Sequence, residues 1–133
     1  MKALALAALL AASVAAHAAP IDTAIDACRQ AAASKDDSLA GYCIGVMHTT
    51  YSLWPTTYMS KGKALCHKNT MDQEVAAVVK KLEAMKKAQA ALSSGQADPK
   101  ANVLALGELP PNWERAGPHD LIFWAYAQEM KCS

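Results

Sequence analysis

The sequence predicts an all-α fold, a small disulfide-stapled bundle of about four helices, and three observations carry that reading. Apolar residues recur every three or four positions in several separate stretches, the period of a helix with one buried face. No stretch alternates apolar and polar residues as a half-buried strand would. All four cysteines lie beyond an N-terminal segment that reads as an export signal, where bridges are the default state.

That segment, residues 1–18, is one lysine, an uncharged Ala/Leu run and the small-residue box Ala16-His17-Ala18. This is the order of a secretory signal peptide. Cleavage after Ala18 keeps Pro20 away from the first mature position and leaves a single domain, residues 19–133, of about 115 residues. Lys2 leaves with the leader, so the mature chain carries 12 acidic residues and as many basic ones. A chain without a basic field cannot displace the counterions of a nucleic acid, so that class of partner is excluded. No membrane span is expected after signal removal.

The first mature helix covers Ile21 to Ala33, with Ile21, Ala24, Ile25, Cys28 and Ala32 on one side and Asp22, Asp26, Arg29 and Gln30 on the other. Ser34 to Ser38 interrupts it, and Asp36, Asp37 or Ser38 can cap the next helix. That second helix is predicted from about Ser38 to Tyr51, ended by Leu53-Trp54-Pro55. Gly41 and Gly45 lie one turn apart within it. Each costs about 1 kcal/mol relative to alanine in an exposed helix, so the expectation is a helix-packing face that lets a neighbour approach. Thr56 to Leu65 reads as a loop and a candidate contact surface.

Thr70 and Gln73 have capping-box spacing before the stripe Met71, Val75, Val78, Val79, Leu82, Met85 and Leu92, the clearest helix in the chain. Lys80, Lys81, Glu83, Lys86 and Lys87 fall on or beside its opposite, solvated face. Ser93 to Pro99 breaks the helix, and a short helix across Lys100 to Leu106 is a weaker pattern. Gly107 to Gly117, with Pro110-Pro111, reads as a loop because adjacent prolines remove two backbone donors. Pro118 to Lys131 is the last helix, with Cys132 at its end. The four cysteines allow three connectivities, of which these helices favour Cys28–Cys43 and Cys66–Cys132.

No catalytic constellation is legible. His48, His67 and His119 have neither metal-ligand nor nucleophile spacing, there is no CxxC, and no GxSxG, HExxH or phosphate-binding loop occurs. The expectation is a protein that is not an enzyme, with no catalytic residues, no metal and no cofactor.

Gly41-Tyr42-Cys43-Ile44-Gly45-Val46, followed by Cys66, Gln73 and the Val78 to Leu82 segment, resembles the Rap/Tai group of bacterial immunity proteins. Leu121-Ile122-Phe123-Trp124-Ala125 leading to Cys132 resembles that group's last helix. The chain departs from the pattern in carrying Leu39 where a cysteine commonly stands, with Cys43 one turn later, and in carrying His48 where an acidic residue is usual. The resemblance implies a periplasmic, helical protein that binds and sterically inhibits a toxin delivered by type VI secretion, typically a peptidoglycan amidase. A homodimer would fit such a protein. Aromatic and arginine anchors dominate interfaces of this kind, and loop placement selects Trp54, Tyr58, Trp113 and Arg115 as partner-binding candidates, with core packing the competing role for each tryptophan. The alternative is a small periplasmic chaperone or stress protein that binds many clients.

Overall fold

The computed structural model describes residues 19–57, 64–67, 69–95, 109–110 and 112–132, with the backbone alone at 55–57. The expected signal peptide at residues 1–18, the expected short helix across Lys100 to Leu106 and Tyr58 lie outside the described residues. Among the described residues there are four α-helices: α1 (Pro20–Ala32), α2 (Ser38–Thr57), α3 (Met71–Ser93) and α4 (Pro118–Glu129). The one interaction of strand type among them is an isolated antiparallel bridge between Leu65 and Lys131.

The α1 helix is the centre of the bundle, touching each of the other three, while α4 also packs on α2 and α3. Its composition allows this: Ala24, Ala27 and Cys28 are fully buried, and small side chains let neighbouring backbones come close. Around it the core collects Met47 from α2, Val78, Leu82 and Met85 from α3, and Leu121, Ile122 and Tyr126 from α4. The predicted α3 stripe is in place except for Met71, which is exposed at the helix start.

Local signals explain the ends. Ser34 takes a left-handed conformation, φ 53°, and stops α1, with the Lys35 N–H donating to the Gln30 carbonyl at 3.1 Å. Of the three candidate caps, Asp37 is the one the helix uses: its Oδ1 accepts the Ala40 N–H at 2.8 Å. Gln73 Oε1 accepts the Thr70 N–H at the start of α3, and Asp120 Oδ2 accepts the Gly117 N–H at the start of α4.

Two expectations are corrected. The second helix does not stop before Pro55 but continues to Thr57. A proline so near the C-terminal end forfeits one helical hydrogen bond, and burial of Trp54 in the core offsets that loss. Gly41 and Gly45 are not a packing face for another helix of this bundle. Both are exposed, and among the described residues nothing lies within 4 Å of where a Cβ would stand at either. The buried side of α2 is instead Ala40, Cys43, Val46, Met47, Thr50 and Trp54.

Disulfides join Cys28 to Cys43 and Cys66 to Cys132. The first staples the α1–α2 hairpin. The second holds residues 64–67 against the end of α4, where the Cys66 N–H donates to the Met130 carbonyl at 2.7 Å and the Cys132 N–H to the Ala64 carbonyl at 2.9 Å. With all four cysteines oxidised, the fold belongs to an oxidising compartment and not to the reducing cytosol. Among the described residues no helix is long and apolar enough to cross a membrane.

Candidate functional site

Two polar constellations stand out, one inside the bundle and one on its surface. The inner one is centred on Glu74, which is 1% exposed on the first turn of α3. His67 Nδ1–H donates to its two carboxylate oxygens at 3.0 and 3.2 Å, and the Tyr126 hydroxyl from α4 reaches Oε2 at 3.4 Å. The His67 ring in turn stacks on Tyr51 of α2, centroids 3.8 Å apart. A buried carboxylate without such partners would be costly, so the arrangement is a clasp that ties residues 64–67, α2 and α4 to the start of α3. Burial, with the Glu74 charge second, pushes the Tyr126 phenol well above its ordinary range and keeps it protonated as a donor. His67 lies beside Cys66, so the disulfide and the His67–Glu74 hydrogen bond restrain the same short segment.

The surface constellation is built from the loop before α4. Pro110 and Asn112 start a 3-10 turn, Trp113–Arg115: the Trp113 N–H donates to the Pro110 carbonyl at 3.1 Å and the Arg115 N–H to the Asn112 carbonyl at 3.0 Å. The predicted loop therefore contains one ordered turn, which delivers Arg115 to the surface. Beside it a pocket of about 370 Å³ opens over α4. Half-buried Phe123, Trp124, Ala116 and Pro110 form its apolar floor, and exposed Asn112, Arg115 and Asp120 form its rim. Among the described residues no carboxylate lies within ion-pair distance of Arg115. The Asp120 carboxylate is engaged by the Gly117 N–H at 3.0 Å. Partial burial and, second, the Asp120 charge raise the Tyr42 phenol above its usual range.

The four residues singled out from the sequence are treated differently by the fold. Arg115 is on the rim of the pocket. Trp113, on the same turn, is half-buried against the core. Trp54 is corrected: it is buried, its ring 6.0 Å from that of Phe123, and it backs the pocket instead of presenting a contact surface. Tyr58 lies outside the described residues. The other six lining residues, Pro110, Asn112, Ala116, Asp120, Phe123 and Trp124, are not singled out by the sequence. A signal for three of them exists, because Asp120, Phe123 and Trp124 are spaced three and four apart and share one helix face. Glu74 is equally legible in phase, four residues before Val78 on the buried stripe.

A second groove of about 660 Å³ runs between α1 and α3, lined by charged groups of both signs. Arg29 pairs with Glu83 at 2.7 Å and Lys86 with Asp22 at 2.6 Å across it, which fits an antiparallel α1 and α3. Among the described residues no group of three or more His, Cys, Asp or Glu side chains could hold a metal ion. Compared with known proteins, the chain matches no protein-family model, no curated protein and no solved structure.

Proposed function

We propose that this chain is a periplasmic immunity protein, exported by the signal peptide at residues 1–18, that binds a type VI secretion toxin of the peptidoglycan amidase kind and inhibits it sterically. The observation that carries the reading is Arg115, an exposed cation with no carboxylate partner among the described residues, on an ordered turn at the edge of an aromatic-floored pocket. Arginine next to tryptophan is the composition of protein–protein hot spots, where a few well-packed anchors supply most of the binding energy. The disulfides support the same reading in a second way. A stapled bundle presents its turn already ordered, which lowers the entropy lost on binding. The resemblance of the Gly41 to Val46 segment and of the last helix to the Rap/Tai group suggests the kind of partner.

Inhibition needs no chemistry from this chain: a rigid surface that covers the toxin's cleft excludes the peptidoglycan strand. The test is hydrolysis of purified peptidoglycan by an amidase effector from the same genome, with the mature disulfide-bonded chain added. One equivalent is expected to abolish hydrolysis, and Arg115→Glu to weaken inhibition at least tenfold. An amidase whose rate is unchanged by a tenfold excess of the chain overturns the proposal.

A further inference from the structure

The pocket beside the 3-10 turn has a chemistry of its own that narrows what a partner must bring. Its floor is aromatic and apolar, through Phe123 and Trp124 of α4. Its rim holds two charges, Arg115 and Asp120, but they are not equivalent. Asp120 is engaged by the Gly117 N–H, at the N-terminal end of a 12-residue helix where the partial charge is positive and favours a carboxylate. Arg115 is paired with no carboxylate among the described residues. The pocket therefore offers a guanidinium without an ion-pair partner among the described residues, set beside an apolar floor.

We infer that this pocket receives an apolar, preferably aromatic, side chain of a partner polypeptide that carries a carboxylate on the adjacent residue. The inference rests on the inhibitor reading for the partner being a protein. Three features select this occupant. At about 370 Å³ the pocket is at the small end of ligand sites, which run from about 300 to 1,000 Å³, so it suits one large side chain and its neighbour and not an extended ligand. Aromatic floors favour aromatic guests through offset or edge-to-face contact. The guanidinium presents a fork of donors that a carboxylate accepts two at a time, whereas a cationic neighbour is repelled and a neutral amide offers a single uncharged acceptor.

The test uses the mature, disulfide-bonded chain labelled with ¹⁵N and two blocked dipeptides, N-acetyl-phenylalanyl-aspartyl-amide and its asparaginyl counterpart, which differ by one charge. Titration is followed at the Trp124 indole and Arg115 Nε resonances. The aspartyl peptide is expected to shift both, with an affinity at least fivefold above the asparaginyl one. Arg115→Gln is expected to abolish the difference between the two peptides by weakening the aspartyl peptide more than the asparaginyl one, and an exposed side chain makes this variant safe for folding. Equal affinity of the two peptides for the wild-type chain, or shifts confined to other surfaces, overturns the inference. The two readings fail separately. If no amidase is inhibited but the peptides are still discriminated, the inhibitor reading falls alone; if inhibition survives and the peptides are not discriminated, the pocket assignment falls alone.

Discussion

Two glutamates on α3, Glu74 and Glu83, lie about two and a half turns apart and are handled in opposite ways. Glu83 pairs with Arg29 at 2.7 Å, with both side chains about half exposed. Glu74 is buried and takes its hydrogen bonds from His67 and, at longer range, Tyr126. The outer pair is the shorter contact, and distance alone would rank it the stronger. Water decides otherwise, because exposed ion pairs are screened and must order two long side chains, while a stranded group in the interior bears its full desolvation cost. Burial, not contact distance, ranks these interactions.

The comparison can be broken most severely at the staple that holds His67 in place. The Cys66–Cys132 bridge spans 66 residues and the Cys28–Cys43 bridge 15. Chain entropy alone then assigns about 4 kcal/mol to the first and about 3 kcal/mol to the second. In urea unfolding, Cys66→Ser with Cys132→Ser is expected to cost more than Cys28→Ser with Cys43→Ser, and also to loosen the Glu74 clasp. Equal or inverted losses would show that the ends of the bundle do not depend on loop length.

Glu74→Ala comes next, with an expected loss of about 2 kcal/mol, since it strands the buried Tyr126 hydroxyl and leaves a cavity. Combining Glu74→Leu with Tyr126→Phe removes both groups of the Glu74–Tyr126 contact and should cost much less than the sum of Glu74→Leu alone and Tyr126→Phe alone; additive losses in this double-mutant cycle would mean that the two groups are not coupled.

Tyr126→Phe alone should cost about 1 kcal/mol and should change the alkaline limb of the stability curve. The folded phenol titrates above its unfolded value, so its contribution is complete below about pH 10 and is lost as the pH rises from there through the raised folded value. The wild-type chain should therefore lose stability more steeply than Tyr126→Phe above that pH. Parallel curves would place the phenol outside the clasp.

The smallest effects belong to the outer pairs. Arg29→Ala and Lys86→Ala should each change stability by no more than about 0.5 kcal/mol, and the change should shrink further in about 1 M salt. A salt-independent loss of about 2 kcal/mol or more would make the surface pairs comparable to the buried clasp and erase the distinction.

The elements themselves are legible because each is written in local rules: the apolar stripe of α3, the capping box at Thr70–Gln73, and the Ser34 to Ser38 cluster that both breaks α1 and offers caps to α2; the structure selects Asp37 among those caps and adds the Gly117–Asp120 one. The candidate site is legible in part. Arg115 can be selected as a loop arginine, but the pocket beneath it depends on which residues of α4 come up beside the 3-10 turn. Trp54 illustrates the limit: its position near a proline suggests a helix end and a loop surface, whereas the fold buries it next to Phe123.

By itself the sequence determined the helical class, the helix starts and an oxidised, bundled architecture, because periodicity, capping and cysteine placement act over a few residues and are readable along the chain. The tertiary structure alone decided which side of α2 is covered and left Gly41 and Gly45 facing outward. It also placed Glu74 under His67 and Tyr126 and set Arg115 beside Phe123 and Trp124. Those outcomes depend on how helices far apart in sequence are oriented, and burial and pairing energies arise only when such groups meet.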